Sequence, residues 1–250
     1  MIGRYFRRGL FIFLVFQGSL LSAQQFNSDN YLAMPHGTVS TTITAGLRNS
    51  GLIASIALIP NFEFFAQATL FKEDASQGIP SNFTTTVYAK YMFRQNESKN
   101  GGGGVFLGFG RAPGYWSKTE FVELHRNLWS AVALTFPLFN NTISWDLMPG
   151  LVYDFSSEEG VPNGWGFTYS TRVAAYGIIP KSAVVGEIYG TEGSLFSPME
   201  YKVGIRWEPN GTIIPAITYG NNFSGQGRGA RLEIGVTIFS PPFFKKPLPK

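Results

Sequence analysis

"MEYKVGIRW", residues 199–207, sets Met199, Tyr201, Val203, Ile205 and Trp207 on one run of alternate positions, and Glu200, Lys202, Gly204 and Arg206 on the other. Extended backbone sends successive side chains to opposite faces, so the stretch has one oily face and one ionic face. In a water-soluble sheet the oily face lies inside; in a membrane barrel it lies outside, against lipid. Other stretches repeat the pattern. Phe83, Val87, Ala89, Tyr91 and Phe93 oppose Thr84, Thr86, Lys90 and Arg94. Ile143, Trp145, Leu147, Leu151 and Tyr153 oppose Ser144, Asp146, Gly150 and Asp154, while Leu232, Ile234, Val236 and Ile238 oppose Arg231, Glu233, Gly235 and Thr237.

Working outward, period-2 segments bounded by turn residues predict twelve strands, at 38–48, 51–59, 61–72, 83–95, 103–111, 126–138, 142–154, 164–176, 181–190, 197–208, 212–221 and 228–239. Their typical length, about ten residues, suits a tilted strand crossing a bilayer. Four even-numbered links are tight, around Pro60-Asn61, Asn140-Asn141, Ile179-Pro180 and Pro209-Asn210-Gly211, residue types that hold short-hairpin dihedrals. Several odd-numbered links are longer and more polar: "KEDASQGIPSN", "APGYWSKTEFVELH", "SSEEGVPNG" and "TEGSLFS". Outer-membrane barrels sort their loops this way, with short turns on the periplasmic side; a two-sheet sandwich, the alternative fold, has no reason to. "QNESKNGGGG" breaks the alternation as a long even link.

Composition is consistent with this. Aromatic content of 16% and 29 glycines are high for 250 residues, charged content of 14% is low, and there is no cysteine to build a disulfide or thiolate metal site. The opening "MIGRYFRRGLFIFLVFQGSLLSAQQ" has a basic start, an apolar run from Leu10 to Phe16, and a small-residue site at Ser22-Ala23. That is the layout of an export signal over residues 1–23. Losing Arg4, Arg7 and Arg8 takes the net charge from +4 to +1 (4 − 3), which argues against nucleic acid as a partner. The expected organisation is a signal peptide (1–23), an outer-membrane barrel (24–239) and a Pro/Lys-rich periplasmic tail (240–250).

The signal, the alternating strands and the final strand "ARLEIGVTIF" together resemble a bacterial outer-membrane β-barrel over essentially the whole mature chain. The last strand resembles the C-terminal segment that barrel-insertion machinery reads, except that Phe239 lies off the apolar series and "SPPFFKKPLPK" follows it. "MPHGTVSTTITAGL" leading to "LIPNFEFFAQATLF" is similar to the opening hairpins of exopolysaccharide-associated, YjbH-like barrels. The resemblance implies an all-β, single antiparallel up-and-down transmembrane barrel in the cell outer membrane. Its partners would be outer-membrane lipid, the insertion machinery, and small polar solutes or polysaccharide, and its role passive passage of small polar or anionic solutes or a part in polysaccharide export.

A barrel of this size encloses more space than small side chains fill. The inward series offers Glu63, Lys90, Arg94, Arg111, Asp146, Arg172, Glu187, Glu200, Lys202, Arg206, Arg231 and Glu233. Arg172, Arg206 and Arg231 are the candidates for solute contact, because guanidinium forks bind carboxylate, phosphate or sugar hydroxyls. Glu200 and Glu233 are their expected partners, with Lys202, Lys90 and Asp146 completing the lining. Two readings stay open: an eyelet that selects small polar or anionic solutes, or charges paired across a plugged interior.

No metal-ligand spacing, cofactor motif or catalytic constellation stands out. His36 and His125 are the sole histidines. His125, in "TEFVELHRN" near Glu120 and Glu123, is the one site at which an outer-membrane hydrolase could place its base. "GGGGVFLGFGRAPG" lacks the Gly-Lys-Ser/Thr ending of a phosphate loop and reads as a turn feeding a strand. The tail from Ser240 to Lys250 would hang into the periplasm, where it could dock a partner.

Overall fold

The computed structural model describes residue 26 and residues 29–72, 82–116, 120–155, 163–223 and 231–244, without the side chains of 82 and 112–125. Its strands are β1 (Val39–Gly46), β2 (Asn49–Ile59), β3 (Phe62–Phe71), β4 (Asn82–Gln95), β5 (Gly102–Trp116), β6 (Glu120–Leu138), β7 (Ile143–Leu147), β8 (Gly150–Asp154), β9 (Trp165–Tyr176), β10 (Ser182–Gly193), β11 (Ser197–Trp207), β12 (Ile213–Asn222) and β13 (Arg231–Phe239). Each pairs antiparallel with its neighbours, and β1 pairs with β13. The sheet therefore closes on itself and leaves no edge, as hydrocarbon requires.

Thirteen segments make twelve staves. β7 and β8 both lie between β6 and β9, and their register is unchanged across the gap: Leu147 faces Leu134 and Thr171, Gly150 faces Ala131 and Thr168. Pro149 has no N–H to give the ladder, while Met148 still exchanges both backbone bonds with Ser170 and Val132 N–H still reaches Pro149 O. The expected strand 142–154 is one stave with a chemical nick.

The outward face is the oily one. On β11, Met199 is 43% and Trp207 51% exposed, while Lys202 and Arg206 are 5% and 4% exposed. Exposed apolar side chains such as Leu52, Val87, Leu107, Leu151, Ile217 and Ile234 continue the belt around the wall. A folded chain keeps such a belt in contact with bilayer hydrocarbon. Among the described residues no helix is long and apolar enough to cross a membrane.

The links after β2, β4, β6, β9 and β11 lie at one end, the end expected to be periplasmic, and carry residues with positive φ: Asn61 (65°), Asn140 (52°), Asn141 (69°) and Lys181 (57°). Short links are not confined to that end: Leu47 and Arg48 alone join β1 to β2, and "TEGSLFS", expected as a long loop, leaves only residues 194–196 between β10 and β11. The link that broke the alternation is compact after all. β4 ends at Gln95 and β5 starts at Gly102; between them the Asn96 side chain accepts from the backbone N–H of Asn100 and Gly101, and Asn96 N–H donates to Gly101 O. Three of the long-loop predictions fall in whole or part outside the described residues, as do the expected signal (1–23) and tail residues 245–250.

Four expectations need correction. "APGYWSKTEFVELH" is not a loop: β5 and β6 run through most of it, so His125 sits in β6 opposite Ala112. Arg94 does not point inward, because the register shifts between Met92 and Arg94 and turns it to the exposed outer side; a one-residue bulge reverses every later side chain. Arg111 is also exposed. The tail does not simply hang: Ser240 N–H donates to Val39 O, Phe243 N–H to Gly37 O, and the Phe244 ring stacks on His36 at 5.3 Å. Phe239, off the apolar series, is 3% exposed and packs inside against Met34, Ala57 and Ile214.

Candidate functional site

The eight residues expected to line the interior sit on the strand positions that alternate with the exposed belt. Lys90, Asp146, Arg172, Lys202, Arg206 and Glu233 are buried, and Glu200 and Arg231 half-buried. The register explains how they meet. Asp146 faces Arg172, Arg172 faces Glu187, and Glu187 faces Lys202 across successive strands. These four signs alternate around the wall at one level, so each cation has an acid beside it.

The contacts follow. Arg172 Nε and Nη2 donate to Asp146 Oδ2 at 2.9 and 2.7 Å, and Thr135 Oγ1 donates to Asp146 Oδ1 at 2.6 Å. Lys202 Nζ lies 2.7 Å from Glu233 Oε2, whose carboxylate also accepts from Thr218 Oγ1. Nearer the periplasmic end, Arg206 Nε donates to Glu208 at 2.7 Å and its Nη2 to Tyr176 Oη at 2.8 Å. Glu200 accepts from Tyr189 Oη at 2.7 Å. Buried charges need such neighbours, since desolvation would otherwise exceed the Coulomb gain.

The wall across the interior is aromatic. Phe65 stacks on Tyr88 at 4.4 Å, Tyr88 meets Trp129 at 5.3 Å, and Phe106 meets Trp129 at 6.4 Å. Gly108 leaves room for this group: a Cβ there would run into the Trp129 ring. Lys90 is the cation on this side, 5.4 and 5.6 Å from the Phe65 and Phe106 centroids. Sequence reasoning missed the inward aromatics because aromatic residues were sought on the lipid face; Phe65, Phe106 and Trp129 are nonetheless two residues apart from other inward positions.

It also missed a strap. Residues 29–36, with Phe26, cross the interior toward the end at which β2–β3 and β4–β5 turn. Phe26 packs on Ala174, Ala183 and Val185. Asp29 Oδ2 accepts from Lys90 Nζ at 2.8 Å, beside Glu63 Oε2 at 3.0 Å, and its charge also acts on Arg172. Tyr31 is 2% exposed and lies over Gly102 and Gly104; burial pushes its phenol above the ordinary value, against a hydrogen bond from Gln95. Met34 reaches Ala57, Ile214 and Phe239. A cleft of about 50 Å³ remains between the strap and the wall at Asn141, Ser144, Tyr176 and Arg206, room for one or two waters.

Among the described residues no three His, Asp or Glu side chains gather as a metal site would need. The His125 side chain, the proposed base of a hydrolase, lies outside the described residues.

No protein-family profile and no curated protein matches the sequence. Solved structures share its fold. The KdgM porin superposes with a TM-score of 0.54 at 12% identity, over 80% of this chain and 98% of that one. The same porin in complex with disordered oligogalacturonate gives 0.51 at 13% identity, over 80% and 98%. The COG4313 outer membrane channel from Pseudomonas putida F1 gives 0.53 at 12% identity, over 86% and 100%. Identities this low speak to fold alone, and the fold is that of a porin-like outer-membrane β-barrel.

Proposed function

We propose that this protein is an outer-membrane channel for small polar solutes, anionic ones included. The supporting observation is the pairing of a lipid-compatible outer belt with an interior that carries buried charges of both signs. On this reading Arg231 and Glu200, half-buried, would meet a solute first, and Arg172, Arg206, Lys202, Lys90, Asp146 and Glu233 would set the field it crosses. The shared fold with two channel proteins supports the same reading.

Single-channel recording of purified protein in planar bilayers tests it. Stepwise currents are expected. A protein that is folded, inserted and silent, whatever is done to its N-terminal segment, sinks the proposal. Block of those currents by an added acidic oligosaccharide would extend the solute class to saccharides. A second reading, a plugged barrel that binds a periplasmic partner, is supported by one observation: the strap crosses the interior. Silence together with capture of a periplasmic protein through the tail would select it.

A further inference from the structure

We propose that the strap, residues 29–36 with Phe26, is a displaceable stopper, seated by Tyr31 on a glycine bed and latched by Asp29 on Lys90, and that full current flows when it leaves. The inference rests on the channel function proposed above.

The strap is bound differently from the wall. Every stave shares ladders with two neighbours, whereas the first backbone bond from the strap to the wall, among the described residues, is Gly37 N–H to Ala57 O at 2.7 Å. Before that point two of its N–H groups are satisfied within the strap: Asn30 N–H donates to Asp29 Oδ1 at 2.8 Å and Leu32 N–H to Asn30 Oδ1 at 3.1 Å. Its short ties to the wall are the 2.8 Å Asp29–Lys90 latch and, at its wall-proximal end, a 2.9 Å bond between His36 Nε2 and Leu58 O; three others are hydrogen bonds at 3.4 Å, from Tyr31 N–H to Thr135 Oγ1, Met34 N–H to Glu63 Oε2 and Gln95 Nε2 to Tyr31 Oη. Bonds that long are weak.

The wall is shaped to receive it and complete without it. "GGGG", 101–104, is more than a turn: Gly102 and Gly104 face inward, and a Cβ on Gly102 would lie 2.7 Å from the Tyr31 ring. If the strap departs, Lys90 keeps Glu63 at 3.0 Å and Arg172 keeps Asp146 at 2.7 Å. Neither of these two cations is left bare, so their charge balance does not depend on the strap. The residual cleft beside Asn30 and Tyr31 shows that the seat is not close-packed on all sides.

A reversible lock tests the stopper. The protein has no cysteine, and a Cβ at Gly104 would lie 3.5 Å from Tyr31 Cα, within reach of a disulfide. The double variant Tyr31→Cys, Gly104→Cys is recorded oxidised and then reduced, with folding followed by heat-modifiable gel mobility. The expected result is at least a tenfold lower current when oxidised, recovered on reduction, and longer openings for Asp29→Asn than for the wild type. If the oxidised protein carries the full wild-type current, the stopper is overturned and the channel stands. If wild type, reduced double variant and an Asp29→Ala, Tyr31→Ala variant are all silent though folded, the channel proposal falls and takes the stopper with it. Currents from that last variant alone, with a silent wild type, support the stopper.

Discussion

The two sides of the interior solve one problem in opposite ways. On β7 and β9–β11 the charges alternate in register, Asp146, Arg172, Glu187, Lys202, each flanked by its opposite. On β3–β6 the space is filled by Phe65, Tyr88, Phe106 and Trp129, with Lys90 set among them. Redundancy is the difference. A member of the charged ladder can be neutralised and its neighbours keep other partners, whereas Lys90 serves both Asp29 and Glu63.

Substitutions should separate the walls. The largest effect is expected from Lys90→Met, which leaves two neighbouring carboxylates buried without their cation; a loss of about 3–5 kcal/mol follows. Urea unfolding in lipid vesicles measures it, and adding Asp29→Asn and Glu63→Gln should recover most of the loss. No recovery would mean that packing around the Lys90 stem, not charge, matters there. Next comes Gly108→Ala, whose methyl would press on Trp129. About 1–3 kcal/mol is expected from overpacking, together with a change in tryptophan fluorescence; an unchanged spectrum would show that the aromatic wall is loosely packed. The smallest is Glu187→Gln, since Arg172 retains Asp146 and Lys202 retains Glu233. About 1 kcal/mol or less is expected in the same titration, and a loss as large as that of Lys90→Met would refute the redundancy of the ladder.

Much of this was legible in the sequence. The outward ridge of β11, the twelve staves and the inward set from Lys90 to Glu233 follow from period-2 alternation, which a lipid-facing wall enforces at every stave. Where the period breaks, reading failed. Arg94 follows a bulge that sequence does not mark, and β5 and β6 continue through a Pro- and Gly-bearing stretch, with a register shift between Ala112 and Gly114, that has every appearance of a loop. The strap could not be read at all. Residues 29–36 have no periodicity, and their seat is assembled from positions far along the chain, such as Thr135, 104 residues from Tyr31. A signal was present in "GGGG", since glycines at alternate inward positions mark a close approach by another segment.

The seam between β1 and β13 has a consequence for how the molecule is made. Thr42 and Thr237, 195 residues apart, share a 2.8 Å hydrogen bond inside it. Contacts between such distant partners form late, so the folding sheet keeps two raw margins until almost all of its strands have paired. The bed of the strap draws on both margins, through Ala57 on one side and Ile214 and Phe239 on the other. The Met34 end of the strap thus finds its full seat only once the two margins have met, and its docking there becomes a late event of assembly.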